Sequence, residues 1–326
     1  MANEREWPSY GVQKENNTAC LARTFLTYVC SQRWQAAECN SAAMLAGGWW
    51  ADGADRMTDV SGQYIWRSTD AYEAYMGRWS RPLAEAFLAW FAVPAGGRWL
   101  DVGCGTGALT AAVLALAEPS AVLGIDPSPA FLGAATARFS DPRARFAIGD
   151  ARALPVPTDG YDAIVAGLVL NFVPEPALAV GEMARAARPG GAVGAYVWDF
   201  RGEMQGARCF WAAVAATDPA AAALDPRPHF HTCEPEPMAD LFRAAGLGDV
   251  AVDPIDLPMA FRDLDEFWLP HTMPGAAASQ RYASALDDDR KAALRDQLQA
   301  TLPFDADGSL HLIDRVCAVR GIKQTA

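Results

Sequence analysis

The sequence has few of the residues that build metal centres and disulfide scaffolds. Its 326 residues include four histidines and seven cysteines, and the cysteines form no Cys-x-x-Cys pair. An odd, scattered set of cysteines indicates reduced thiols in a cytoplasm instead of a disulfide framework. Four histidines argue against a multi-histidine metal site, so we predict no bound metal.

Long apolar runs and positive charges are also scarce. No uninterrupted apolar stretch approaches the ~18 residues that a membrane span needs. The chain has three lysines and a net charge of −12, and residues 199–326 alone carry 12 basic and 20 acidic side chains. Because an acidic chain repels phosphate backbones, we expect neither nucleic acid nor a membrane as partner. The opening residues, MANEREW, show no basic-then-apolar leader, so we expect a cytoplasmic protein.

Residues 1–56 differ in pattern from the rest of the chain. They hold three of the seven cysteines and the adjacent Trp49 and Trp50. They show no sustained period of either 2 or 3.6 residues. We predict an N-terminal extension that is poorly ordered, or a start codon placed too early, with Met57 as the true start.

From residue 70 to residue 200, helical and strand patterns alternate. The strands are nearly continuous apolar runs, which is typical of a parallel sheet covered on both faces by helices. The motif Arg188-Pro189-Gly190-Gly191 is a strong helix stop. We predict strands at 98–103, 121–126, 143–150, 161–170 and 192–200, helices at 108–117, 129–139 and 176–187, and two helices within 70–91 with a bend near Gly77 and Pro82.

After residue 200 the alternation is looser. A proline-rich stretch at 225–237, which contains His229 and His231, predicts a loop that could close over a pocket. We predict helices at 210–217, 238–246, 263–269 and 287–301, a strand at 249–261 and a final strand at 309–321.

A glycine-rich loop follows the first predicted strand. The segment LDVGCGTG, residues 100–107, places Gly103, Gly105 and Gly107 between that strand and the next helix. Glycines let the main chain turn tightly and approach a ligand closely, and the helix start offers free N–H groups. This layout is typical of nucleotide-like ligands at the carboxyl ends of a parallel sheet.

Two acidic residues stand at matching places on the next two strands. Asp126 ends the second predicted strand, where a carboxylate can accept both ribose hydroxyls. Asp150 ends the third, where it could accept an adenine amino proton. Three polar strand ends at one sheet edge favour a binding site over three unrelated turns.

These motifs together resemble a known family. The loop LDVGCGTG, the triplet Asp126-Pro127-Ser128, and the segments GDARALPVPTDGYDAIV and MARAARPGGAV are similar to class I S-adenosylmethionine-dependent methyltransferases. The nearest type is the methyltransferase type 11 group, which includes ubiquinone and menaquinone biosynthesis enzymes. The resemblance implies an α/β fold with a Rossmann-like, seven-stranded, mostly parallel sheet, an antiparallel last strand and helices on both faces.

The resemblance also implies a domain order and a set of cofactor-binding residues. We expect lid helices at 57–97, the S-adenosylmethionine-binding core at 98–200, and substrate-shaping insertions plus the last two strands of the same sheet at 201–326. Asp101, Gly103, Cys104, Gly105 and Gly107 would surround the methionine part of S-adenosyl-L-methionine, Asp126 with Pro127 would hold the ribose, Asp150 and Ala151 the adenine, and the backbone near Leu168 would meet the methionine end.

A sulfonium methyl group is already activated, so the protein chiefly aligns a nucleophile with it and excludes water. An oxygen or carbon nucleophile can need a base, for which His271 and Asp199 are the candidates. Aromatic residues near the predicted carboxyl edge favour a small apolar or aromatic methyl acceptor. The candidate substrate residues are Tyr72, Tyr75, Arg78, Trp79, Asn171, Phe172, Phe210, Trp211 and Trp268.

Two alternatives stay open at this point. A nicotinamide-dependent oxidoreductase also has a glycine loop followed by an acidic residue about 20 positions later, but it favours Gly-x-Gly-x-x-Gly and has no role for Asp150. A cofactor-binding partner subunit without activity of its own would show the same motifs. The sequence leaves open the acceptor, its nucleophilic atom and the oligomeric state.

Overall fold

The computed structural model describes residues 73–93, 95–230 and 233–325. The predicted extension at 1–56, the candidate substrate residue Tyr72 and the loop residue His231 lie outside the described residues.

The core of the fold is a seven-stranded sheet in the order β3-β2-β1-β4-β5-β7-β6. Strands β1 to β5 pair in parallel, whereas β7 runs antiparallel to both of its neighbours, β5 and β6. This confirms the predicted fold class. The strands are β1 (Arg98–Val102), β2 (Ala121–Asp126), β3 (Ala144–Ile148), β4 (Tyr161–Gly167), β5 (Ala187–Trp198), β6 (Leu247–Phe261) and β7 (Leu310–Lys323).

Helices connect and cover these strands. A short π-helix at Glu73–Gly77 runs directly into the first of them. The helices are α1 (Arg78–Phe91), α2 (Ala108–Leu116), α3 (Pro129–Arg138), α4 (Pro176–Ala186), α5 (Gln205–Thr217), α6 (Pro235–Ala244), α7 (Leu264–Thr272), α8 (Ala278–Ser284) and α9 (Asp288–Thr301).

Successive side chains of the central strands enter two separate apolar cores. Trp99 of β1 packs in one core with Phe87 of α1. The next residue, Leu100, packs in the other core with Met183 of α4. Because side chains alternate across a strand, a run that is apolar at every position buries both faces of the sheet. The sheet edge from which the candidate site is built is therefore anchored in apolar cores on both faces.

Three predicted boundaries are wrong for local reasons. The two predicted helical segments meet at Gly77, where the π-helix gives way to α1, whereas α1 continues through Pro82 instead of breaking there. Strand β4 ends at Gly167, since Leu168 adopts a left-handed φ of 59° that turns the chain. The helix does end before the predicted stop, at Ala186, but β5 begins at Ala187 and not at residue 192, so residues 188–191 belong to the strand.

Candidate functional site

The glycine loop after β1 adopts a conformation that only glycine enters easily. Gly103, Gly105 and Gly107 have φ values of 71°, 55° and 87°. A Cβ atom at Gly103 would overlap the side chain of Val169. The loop is therefore a backbone cradle with no room for side chains at this position.

Asp126 stands beside this cradle at the end of β2. One carboxylate oxygen accepts a hydrogen bond from the Gly105 N–H at 3.0 Å, and the other from the Ser128 N–H at 2.8 Å. The residue is only 7% exposed, and this burial raises the pKa of its carboxyl group. Since a carboxylate has about four acceptor sites, each oxygen can accept a further hydrogen bond from a ribose hydroxyl.

Asp101 of β1 lies fully buried behind the cradle. Its Oδ2 accepts a hydrogen bond from the Thr110 hydroxyl at 2.6 Å, while its Oδ1 has no partner among the described residues. Burial raises the pKa of this carboxyl group to about 7. This buried carboxylate oxygen lacks a hydrogen-bond donor within the described part of the chain, and the neighbouring cradle has space that a Cβ atom would fill. Both features suit a ligand that carries hydrogen-bond donors and binds at this loop.

A cavity of about 320 Å³ opens from the cradle along the carboxyl edge of the sheet. On its cofactor side it is bounded by the glycine loop, Asp126 and Leu168. Its other walls are mostly aromatic and sulfur-containing, a lining suited to an apolar ligand. Those walls comprise Tyr75, Met76, Phe172, Val173, Trp198, Phe200, Met204, Ala207, Phe210, Trp211, Pro226, Arg227, His271, Ala277, Ala278 and Ser279.

His271 of α7 is held in this wall by aromatic rings. Its ring stacks on Phe210 with centroids 4.5 Å apart and meets the edge of Tyr75 at 5.2 Å. The residue is 6% exposed, and its Nδ1 has no hydrogen-bond partner among the described residues. Burial lowers the pKa of this imidazole to about 3, so the ring is neutral at pH 7.

Two hydroxyl groups face each other across the cavity wall. Tyr75, from the π-helix, and Ser279, from α8, have their oxygens 3.1 Å apart. Desolvation raises the pKa of Tyr75 to about 12, so its hydroxyl keeps its proton and can donate. The cation in the wall, Arg227, is held by the carboxylate of Asp225 at 2.6 Å.

The structure brings ten of the predicted site residues together around the cavity. They are Gly103, Gly105, Asp126, Pro127 and Leu168 on the cofactor side, and Tyr75, Phe172, Phe210, Trp211 and His271 on the acceptor side.

Other predicted residues lie outside the cavity with partners of their own. Asp199 lies just after the end of β5, and its carboxylate accepts hydrogen bonds from the backbone N–H groups of Gly202 and Glu203 instead of lining the cavity. Asp150 pairs with Arg152 at 2.7 Å. The remaining residues outside the cavity lining are Asp101, Cys104, Gly107, Ala151, Arg78, Trp79, Asn171 and Trp268.

Arg78 and Trp79 form a neighbouring cluster. The Arg78 guanidinium lies 4.0 Å from the ring centroid of Trp79 and donates to Glu266 of α7 at 2.6 Å. Asn171 is different, since both of its amide atoms are buried without a partner among the described residues. A buried amide in that state costs about 1–3 kcal/mol unless a ligand or water meets it.

Sequence reasoning missed several residues of the cavity wall. Trp198 is the last residue of β5 and Phe200 follows it by two residues, so their place at the carboxyl end of this strand was an available signal. Ser279 carried no such signal, because α8 is short and has no apolar period.

Within the described segments, no helix is both long and apolar enough to cross a membrane. In the same segments, no three histidine, cysteine, aspartate or glutamate side chains stand close enough together to hold a metal ion.

Comparison with known proteins gives a consistent assignment. The methyltransferase domain family model matches residues 100–194. A demethylmenaquinone methyltransferase of Roseiflexus sp. is 32% identical over 176 residues, which are 50% of this chain and 73% of that protein. A trans-aconitate 2-methyltransferase of Methylobacterium radiotolerans is 36% identical over 153 residues, which are 47% of this chain and 56% of that protein.

A solved structure shares the fold. Phosphoethanolamine N-methyltransferase 2 of Haemonchus contortus, in complex with S-adenosyl-L-methionine, matches with a TM-score of 0.51 at 17% identity, covering 84% of this chain and 60% of that chain. The family match argues against the nicotinamide-dependent alternative. The glycine cradle, the sheet order and these relatives together show that the chain belongs to the class I S-adenosylmethionine-dependent methyltransferases.

Proposed function

We propose that this methyltransferase transfers a methyl group from S-adenosyl-L-methionine to a small, largely apolar or aromatic molecule by in-line displacement. The observation that carries the proposal is the cavity of about 320 Å³, which joins the glycine cradle to an aromatic wall. A concave site with a few polar groups in an apolar lining is typical of small-molecule ligands.

We assign residues of this chain to each part of S-adenosyl-L-methionine. Asp126 would accept the ribose hydroxyls, and the cradle, with Asp101 behind it, would hold the methionine end. Asp150 and Ala151 stay our prediction for the adenine, although Arg152 already occupies part of the Asp150 carboxylate. When bound, S-adenosyl-L-methionine supplies an activated methyl group, and the protein's task is to orient the acceptor and exclude water.

The two relatives are named for different acceptors, demethylmenaquinone and trans-aconitate. The cavity wall favours an acceptor with an apolar ring over a carboxylate. Its cation, Arg227, is already neutralised by Asp225, so an anionic acceptor would enter an aromatic wall without a free counter-charge nearby.

The segment before β1 supports the predicted lid. Tyr75 and Met76 reach the cavity from the π-helix, and Glu73 in the same helix accepts a hydrogen bond from Thr106 of the glycine loop at 2.7 Å. We propose that this segment encloses the acceptor. Of the two predicted bases, His271 lines the cavity and Asp199 does not, so we keep His271 for that role.

Two measurements test the proposal. Calorimetry should show binding of S-adenosylhomocysteine and no binding of NADH. A labelled-methyl assay on a metabolite extract from the source cells should then give a labelled small apolar or aromatic product. S-adenosylhomocysteine binding with no methyl transfer to any extract component would favour a cofactor-binding partner subunit. A labelled polycarboxylate product would contradict the assigned acceptor class.

A further inference from the structure

The acceptor side of the cavity carries two hydroxyl groups, those of Tyr75 and Ser279. Their oxygens lie 3.1 Å apart, so one hydroxyl donates a hydrogen bond to the other. The two groups have two hydrogens between them, and this contact uses one. The hydrogen that remains decides what the pair can offer to a molecule in the cavity.

The direction of this hydrogen bond follows from the acidity of the two groups. A phenol is more acidic than an alkyl hydroxyl and is therefore the stronger donor. Desolvation raises the pKa of Tyr75 to about 12, so its oxygen keeps the proton at pH 7. With Tyr75 as the donor, Ser279 still has its own hydrogen, and its hydroxyl forms no other hydrogen bond within the residues that the structure describes.

Ser279 is fixed in the cavity wall by its neighbour in α8. Gln280 has no exposed surface, and its Nε2 donates to the Pro270 carbonyl of α7 at 3.0 Å. Its Oε1 accepts from the Ala277 N–H at 3.3 Å. Ser279 itself is 5% exposed and lines the cavity. A nearly buried hydroxyl with a spare hydrogen is unfavourable unless a partner meets it, and the cavity is where such a partner can bind.

The other donors of this wall differ from the hydroxyl pair. The guanidinium of Arg227 is held by the Asp225 carboxylate at 2.6 Å. Trp198 and Trp211 contribute indole N–H groups, which donate but cannot accept. The oxygen of Ser279 can do both, so it can meet either a carbonyl oxygen or a hydroxyl group of a bound molecule.

We propose that the Ser279 hydroxyl, oriented by Tyr75, donates a hydrogen bond to a carbonyl or hydroxyl oxygen attached to the ring of the methyl acceptor, and thereby selects oxygen-bearing rings over hydrocarbon rings. The inference rests on the proposed function and narrows it, because it adds one polar group to an apolar or aromatic acceptor. The contact serves recognition, and no proton is transferred in it. A few placed polar groups in an apolar cavity are what fixes the orientation of a small ligand.

The test uses matched pairs of small probes and the protein saturated with S-adenosylhomocysteine. Acetophenone and α-methylstyrene differ only in a carbonyl oxygen that replaces a CH₂ group. Phenol and toluene differ in a hydroxyl that replaces a methyl group. NMR titration gives the four Kd values, and the ratio within each pair is compared between the wild type and its variants, so that the different hydration of the probes cancels.

Ser279→Ala removes the donor and keeps the rest of the wall. We expect the Kd ratio of at least one pair to shift by about 2- to 12-fold toward the hydrocarbon, which is the net effect of one hydrogen bond. The pair that responds distinguishes a carbonyl from a hydroxyl group on the acceptor. Ser279→Thr, which retains the hydroxyl, should keep the wild-type ratios. Ser309→Ala should keep them too, because its hydroxyl donates to Asp307 outside the cavity lining.

Unchanged ratios in Ser279→Ala would overturn the inference. A larger shift in Tyr75→Phe than in Ser279→Ala would also overturn it, because the spare hydrogen would then belong to Tyr75. If Ser279→Ala does not fold, Ser279→Cys replaces it, since a thiol is a weak donor. Wild-type protein that binds none of the four probes would contradict the proposed apolar acceptor site, and failure to bind S-adenosylhomocysteine would refute the proposed function, so the failures are distinguishable.

Discussion

The two sides of the cavity are built in different ways. The cofactor side comes from one stretch of chain between residues 103 and 168, and it presents glycine backbone and the strand-end carboxylate of Asp126. The acceptor side comes from the π-helix, the segment after β4, β5, α5, α7, α8 and the loops beside them, and it presents aromatic rings with two hydroxyls. Local geometry thus fixes the first side, whereas long-range packing fixes the second.

The sharpest way to break the cofactor side alone is Gly103→Ala. The new Cβ would overlap Val169 in a backbone with φ of 71°, so the cradle must deform. We expect S-adenosylhomocysteine binding to be abolished and the free energy of unfolding to fall by about 1–3 kcal/mol. Calorimetry and urea denaturation measure the two effects.

Gly133→Ala provides the matched control. Gly133 lies in the interior of α3, and a Cβ there would meet nothing within 4 Å. This variant should bind S-adenosylhomocysteine normally and gain about 0.5–1 kcal/mol of stability. Normal binding in Gly103→Ala would show that the cradle does not hold the cofactor.

Asp126→Ala tests the ribose contact without changing the glycines. Loss of a charged acceptor should weaken S-adenosylhomocysteine binding by roughly 1.5–3 kcal/mol, which is about 10- to 150-fold in Kd. Asp141→Ala removes a partly exposed carboxylate that is paired with Arg143 and should leave Kd unchanged. A folded Asp126→Ala protein with wild-type affinity would refute the ribose assignment.

The buried carboxyl of Asp101 should make stability depend on pH. Its folded pKa, about 7, lies above the ordinary value of 3.8, so the folded state holds the proton more tightly than the unfolded state. Stability is therefore highest below pH 4 for this group and falls as pH rises toward 7, by up to about 1.4 kcal/mol per pH unit.

Asp101→Asn should flatten that part of the stability profile, as measured by thermal unfolding between pH 4 and pH 7. An equally steep profile in the variant would mean that another group is responsible. Asp141→Asn, at a partly exposed position, is the comparison variant.

The smallest effect is expected on the acceptor side. Tyr75→Phe removes the hydroxyl that faces Ser279 and should cost about 0.5–1.5 kcal/mol of stability, with Kd for S-adenosylhomocysteine unchanged. A double-mutant cycle with Ser279→Ala should show that the two losses are not additive. Weaker cofactor binding in Tyr75→Phe would show that the two sides are not independent.

The contrast between the sides also explains what could be predicted from the sequence. The alternation of continuous apolar runs with helical patterns over residues 98–200 predicted the strands well. Gly103, Gly105 and Asp126 could be placed because the glycine motif and the acidic residue each stand at the end of a strand. The ion pair between Asp150 and Arg152 could not be predicted, because both side chains lie in one turn and the sequence periodicity does not determine the geometry of a turn. The contact of Asp314 could not be predicted either, because the residue follows the alternation of β7 like any inward-facing position. Only the structure shows that its carboxylate accepts a hydrogen bond from Gly206 at the beginning of α5.

The most direct test of the account is a crystal structure of the protein with S-adenosylhomocysteine. We expect the ribose hydroxyls on the Asp126 carboxylate, the methionine end against Gly103 and Gly105, and the sulfur facing the aromatic cavity beside His271. A ribose held away from Asp126, or a sulfur that faces away from this cavity, would contradict the account.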